Sequence, residues 1–99
     1  MSYSDAKLQQ IFQKARQFPN PQNPGWAQDD CGAWIQWSAY GNRDSNYGWE
    51  VDHIRPDSAG GPDDISNLRP YHWKNNAAKG AGRSNCAVTS SGDRNVDVP

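Results

Sequence analysis

A chain of 99 residues, 34% of them hydrophobic and with a mean hydropathy of −1.04, holds one small domain at most. Its formal net charge of −1 gives no overall pull on a polyanion, and no apolar run approaches the roughly 18 residues of a membrane span. The opening "MSYSDAKLQQ" lacks the basic-then-apolar pattern of a secretory signal, so the cytoplasm is the expected location.

Residues 4–18 predict an amphipathic helix, because Leu8, Ile11, Phe12, Ala15 and Phe18 recur at three- and four-residue steps. Ser4 suits its N-cap and Pro19 its stop. "PNPQNPG" (19–25) predicts a loop. "AWIQWSAY" (33–40) predicts a strand and "GNRDSN" (41–46) a turn. "YGWEVDHI" (47–54) then predicts a second strand paired back on the first. Pro56, Gly60, Gly61 and Pro62 interrupt regular structure. "NLRPY" (67–71) predicts a strand fragment edged by Pro70, and "HWKNNAAK" (72–79) a short helix closed by Gly80. Beyond Gly82 the chain has no periodicity and few large apolar residues, which predicts a disordered tail. The expectation is one α+β domain over 1–83, with residues 84–99 outside it. Five Trp, four Tyr and two Phe predict an aromatic core. Cys31 and Cys86 belong to no C-x-x-C pair, so two reduced thiols are expected, with one disulfide tying tail to body as the alternative.

The charge distribution says more than its sum. Between Glu50 and Asp64 five acids face Arg55 alone, whereas Arg69 to Arg83 holds four bases and no acid. Such neighbours can bind a cation and a polyanion side by side, although a merely solvated surface has the same pattern. Within the acidic stretch, "EVDHIRPDSAGGPDDISNL" (50–68) sets Asp52 beside His53 at a strand end. Alternation sends the two side chains in different directions. Asp52 offers hard oxygen donors suited to Mg²⁺ or Mn²⁺, and His53 can take a proton from water near neutral pH. Asp29, Asp30, Asp63 and Asp64 are expected to cap or solvate loops. His72 is expected to pack at a helix start, and Trp26 either packs or stacks on a base.

In its order of Asp-His, Gly-Gly, Asn-Leu, and Asn76 three residues before Lys79, "VDHIRPDSAGGPDDISNLRPYHWKNNAAKG" resembles the HNH endonuclease motif of the ββα-metal superfamily. The resemblance implies a small ββα-metal core over 33–80 with an added N-terminal helix. It also implies a metal-dependent DNA endonuclease in which His53 is the general base and Asp52 and Asn76 hold one divalent cation. Asn67 would brace the loop and orient the histidine, giving it a supporting catalytic role. Lys74, Lys79, Arg83 and Arg69 would contact phosphates of duplex DNA. One such site nicks one strand, so a double-strand cut needs a homodimer or a larger protein partner. Many relatives carry two C-x-x-C pairs around the motif, but here the second-pair positions hold His72 and Asn75. No structural zinc is therefore expected, and Trp34, Trp37, Trp49 and Trp73 are expected to replace it as core. A phage, a mobile element or host defence are all compatible settings. The rival reading is a non-catalytic DNA-binding or accessory module that keeps the fold.

Overall fold

Ser4 caps the first helix by accepting a hydrogen bond from the Lys7 amide at 3.2 Å. In the computed structural model, which describes residues 3–82 and 85–99, this helix (α1) runs Asp5–Phe12 and buries Leu8, Ile11 and Phe12. It is shorter than the predicted helix over 4–18. The Gln17 side chain folds back to donate to the carbonyls of Phe12 (2.8 Å) and Ala15 (3.0 Å), supplying partners that a helix end otherwise lacks. Arg16–Gln17 (β1) then pairs with Trp26–Gln28 (β2), and the Phe18 amide donates to the Trp26 carbonyl. Sheet pairing overrides the helical period.

Strand pairing differs from expectation as well. Trp34–Gln36 (β3) pairs antiparallel with β2, not with the strand that follows it. A 3-10 turn at Trp37–Ala39, capped by Gln36 accepting from the Ser38 amide at 2.7 Å, redirects the chain. Trp49–His53 (β4) pairs instead with Leu68–His72 (β5), with Trp49 opposite His72 and His53 opposite Leu68. Pro70 lies within β5 opposite Val51. A two-stranded ladder turns alternate amides outward, where a missing N–H is tolerated. Strand β5 leads directly into helix α2, Trp73–Gly80, whose N-cap His72 accepts from the Lys74 amide at 3.1 Å. Helix α2 packs across β4 and β5. The architecture is α+β, with two α-helices and short antiparallel strands among the described residues. Among the described residues no helix is long and apolar enough to cross a membrane.

The core is centred on Trp49, which is fully buried. Its ring lies 5.1 Å from that of Phe12 and 5.9 Å from that of Trp37, with Ile11, Ile35 and Leu68 completing the cluster. Trp34 and Trp73, expected in the core, are only half-buried. Trp73 instead lies under the cations of Arg43 and Lys74, at 5.8 and 5.4 Å.

The tail is ordered where composition predicts disorder. Val88–Ser91 (β6) and Arg94–Asp97 (β7) form an antiparallel hairpin. Its anchors are polar groups, which carry no hydrophobic period. Asn95 accepts from the Trp34 amide at 2.6 Å and donates to the Trp34 carbonyl at 2.9 Å. Thr89 donates to the Cys31 carbonyl at 2.8 Å. A Cys31–Cys86 disulfide fastens the hairpin to the body, so the expectation of reduced thiols is not met.

At the positions where the resemblance would place a second cysteine pair, His72 and Asn75 join Asp29 in a buried polar cluster. Asp29 Oδ2 accepts from the His72 amide (2.9 Å) and Asn75 Nδ2 (3.0 Å), while Oδ1 accepts from the amides of Cys31 (3.0 Å) and Ala33 (2.9 Å). Burial pushes the Asp29 carboxyl up from the usual range, against these donors. Asn75 Oδ1 in turn accepts from the amides of Ala87 and Val88, both at 2.8 Å. Truncating Asn75 strands these groups without water, at about 1–3 kcal/mol for each group left unpaired. Asn75→Ala is therefore expected to lose about 3 kcal/mol in urea unfolding. The exposed Ser66→Ala is expected to stay within about 0.5 kcal/mol of the parent.

Candidate active site

Strand β4 turns Asp52 inward and leaves His53 half-buried at the surface, as alternation requires. Asp52 is 5% exposed and meets two cations. Arg69, directly across the ladder on β5, donates from Nε to Oδ2 at 2.7 Å. Lys79 on α2 donates to both carboxylate oxygens at 3.0 Å. Burial alone would lower the Arg69 pKa, but its bonds to Asp52 and to Asp30 (3.0 Å) hold it above the ordinary value. The Lys79 ammonium also donates to the His53 carbonyl at 2.5 Å and the Ile54 carbonyl at 3.2 Å.

One turn earlier on α2, Asn76 donates from Nδ2 to Glu50 Oε1 at 2.8 Å, not to Asp52. Glu50 is gripped by Arg43 through two bonds of 2.7 and 2.9 Å, and these, ahead of the Asn76 bond, hold its carboxyl below the usual range. Asn76 Oδ1 accepts from no donor among the described residues. A cleft of about 400 Å³ brings Asp52, His53, Asn76 and Lys79 together with Asp57. Beside it, a cleft of about 490 Å³ shares His53, Asp57 and Asn76 and adds Tyr3, Glu50 and Asp63.

The loop between β4 and β5 is tied from within by Asn67. Its Oδ1 accepts from the Arg55 amide at 2.8 Å, and Nδ2 donates to the carbonyls of Arg55 (3.0 Å) and Pro62 (2.8 Å). Gly60 adopts a φ of 78°, and a Cβ at Gly61 would overlap the Arg55 carbonyl, so the loop needs both glycines for different reasons. From this loop Asp63 places Oδ1 at 2.9 Å from His53 Nε2. Asp63 also accepts from the Tyr3 hydroxyl at 2.8 Å.

The expected phosphate contacts are dispersed. Arg69 and Lys79 turn inward onto Asp52, Lys74 lies over Trp73, and Arg83 is outside the described residues. Sequence reasoning missed Glu50 and misread Asp63. An acid two positions before Asp52 lies on the same strand face, which is the one signal that could have placed Glu50 near the site. Nothing local distinguishes Asp63 from its neighbour Asp64.

The donor chemistry suits a hard cation. The Asp52 carboxylate and two carbonyls already gather around the Lys79 ammonium, which stands where a positive charge is favoured, and Asn76 lines the same cleft. Among the described residues no three His, Cys, Asp or Glu side chains cluster around a common point.

A family model described as HNH endonuclease matches residues 30–82, more than half of the chain. No curated protein and no solved structure matches it.

Because Asp52 compensates two cations, its loss leaves the Lys79 ammonium with backbone carbonyls alone and Arg69 with only the exposed Asp30 as counter-charge. Removing one partner of such a buried group costs about 3–5 kcal/mol. Asp52→Ala is expected to lower unfolding stability by about 3 kcal/mol, read in urea. Exposed Asp57→Ala, in the same cleft, is expected to stay within about 0.5 kcal/mol.

Proposed function

Because the chain belongs to the HNH endonuclease family, we propose that it hydrolyses phosphodiester bonds of duplex DNA by a metal-dependent reaction, with His53 as the general base. The observation that carries this reading is the shared cleft, which is lined by a half-buried histidine, a buried carboxylate and a half-buried asparagine. His53 Nε2 is engaged by Asp63, while Nδ1 has no hydrogen-bond partner among the described residues and is left to accept a proton from water. Asp52 and Asn76 would hold one divalent cation, Mg²⁺ or Mn²⁺, which supplies counter-charge for the phosphate and the departing 3′ oxygen. Lys79 must then withdraw from Asp52. Its released ammonium, with Lys74 and Arg83, is suited to phosphate oxygens. Asn67 supports the reaction indirectly, by fixing the loop beside His53. The products expected of the family carry 5′-phosphate and 3′-hydroxyl ends. One site nicks one strand, and a second copy or a protein partner would complete a double-strand cut.

A second reading, a DNA-binding or accessory module without catalysis, is favoured by one observation: both Asp52 oxygens already accept hydrogen bonds from cations. Nicking of supercoiled plasmid separates the two. The nuclease reading expects nicking with Mg²⁺ or Mn²⁺ that stops in EDTA. It also expects His53→Ala to cut about 10²- to 10⁴-fold more slowly with its fold intact, the usual range for a lost general base. Retained DNA binding with no nicking under either metal would favour the module, and a folded His53→Ala variant cutting at the parental rate would remove His53 from the chemistry.

A further inference from the structure

The contacts on Asp63 come from an unexpected part of the chain. Its Oδ1 accepts from the Tyr3 hydroxyl at 2.8 Å while standing 2.9 Å from His53 Nε2. Lys7 Nζ donates to the Asp63 carbonyl at 3.0 Å and stands 3.9 Å from Oδ2. Tyr3 and Lys7 both precede residue 30, where the family match begins. We infer that the N-terminal segment completes the active site, with Tyr3 and Lys7 holding Asp63 so that it fixes His53 in one orientation and one tautomer. The inference rests on the reading of His53 as the general base.

The logic runs through the hydrogen-bonding capacity of each group. An ionised carboxylate only accepts, so the proton shared with Asp63 belongs to Nε2, and Nδ1 keeps its lone pair. The Tyr3 hydroxyl bond, ahead of the one from His53, holds the Asp63 carboxyl below the usual range, which keeps it ionised. The same pairing, behind burial itself, raises the Tyr3 phenol to about 12, so the hydroxyl stays a donor. The backbone on either side of Asp63 is pinned by Asn67, whose side chain holds the Pro62 carbonyl and whose amide donates to the Asp64 carbonyl. Tyr3 packs against the core. Asp63 is therefore held from two directions and presents one oxygen to the imidazole. When water gives its proton to Nδ1, the hydroxide bonds to phosphorus as the bond to the 3′ oxygen breaks, and that oxygen leaves with the electron pair and takes a proton from solvent. The ring becomes an imidazolium. Asp63 faces that charge. Without it, the ring can carry its proton on Nδ1, where it cannot act as a base.

Asp63 and Tyr3 are thus positioning residues, and the test needs a readout besides rate. The full chain, labelled with ¹⁵N in its histidines, is examined by NMR well above neutrality, with the His53 ring signals identified by their loss in His53→Gln. In the parent, Nε2 is expected to be protonated and Nδ1 bare. Asp63→Asn can offer an N–H to Nε2 and so is expected to move the ring toward the other tautomer. It should slow single-turnover nicking about 10- to 100-fold, less than for a fully buried triad aspartate because the side chain is 33% exposed. DNA affinity should not change. Tyr3→Phe keeps the ring packing and is expected to slow nicking about 3- to 10-fold, the effect of one lost hydrogen bond. A parental ring averaged between tautomers, or an Asp63→Asn variant that matches the parent in tautomer and rate, overturns the inference. A Tyr3→Phe variant identical to the parent in both readouts removes the N-terminal segment from it. If the parent cuts no DNA while the tautomer shifts as described, the positioning stands and the nuclease reading is what fails.

Discussion

One buried carboxylate joins the three elements on which the cleft is built. Asp52 belongs to β4, Arg69 to β5 and Lys79 to α2, and their ion pairs close the angle between hairpin and helix. With so few apolar residues, dispersion and burial alone define that angle weakly. A charge cluster specifies it by geometry instead, since the two cations must approach the carboxylate from different elements. The same cluster sets the electrostatic state of the cleft. Arg69 is shared with Asp30, so two cations meet two carboxylates there, and both Asp52 oxygens are already engaged. The stabilising role and the metal-holding role proposed for Asp52 therefore compete for the same oxygens.

Polar braces recur elsewhere in the molecule. Asn67 ties the long loop to itself, Asn75 and Asp29 tie α2 to the region before β3 and to the C-terminal hairpin, and Asn95 ties that hairpin to Trp34. Each brace uses an amide or carboxylate that pairs with backbone on a distant segment, which satisfies buried groups and fixes relative position together. The aromatic cluster around Trp49 then supplies burial where α1, β3 and β5 meet it. Together these contacts hold His53 at the rim of a small but well-determined scaffold.

The local features of the site were the legible ones. Capping by Ser4, the strand ending in Asp52 and His53, the glycine loop and the short helix bearing Asn76 all have chain-local causes. The pairing of β4 with β5 was less legible, because the short turn at 41–46 makes a hairpin with the preceding strand look equally favourable. What decides against it is the Gln36 cap, which turns the chain before the strand can extend. The ordered tail was illegible because side chains contacting remote backbone hold it, and no periodicity reports such bonds. In the site, Asp52 and His53 stand out as neighbours at a strand end, and Asn76 by its place in the motif the chain resembles. The inward turn of Lys79 and the contact of Asp63 with His53 depend on segments that only tertiary structure brings near. The disulfide adds a compartmental signal, since such bonds persist in oxidising surroundings and are rare in a reducing cytoplasm.

The Cys31–Cys86 bond also has a topological consequence. It closes a covalent ring across a separation of 55 residues, and that ring encloses β3, β4, β5 and α2, hence His53, Asn67 and Asn76. The exposed loop around Pro56 to Ala59 is the natural point for a protease to enter. A single scission there opens the ring into two arms that stay attached through sulfur. The cleaved protein would keep its parental mass apart from one added water, run as one species on a non-reducing gel, and separate into two fragments when a thiol reductant is added.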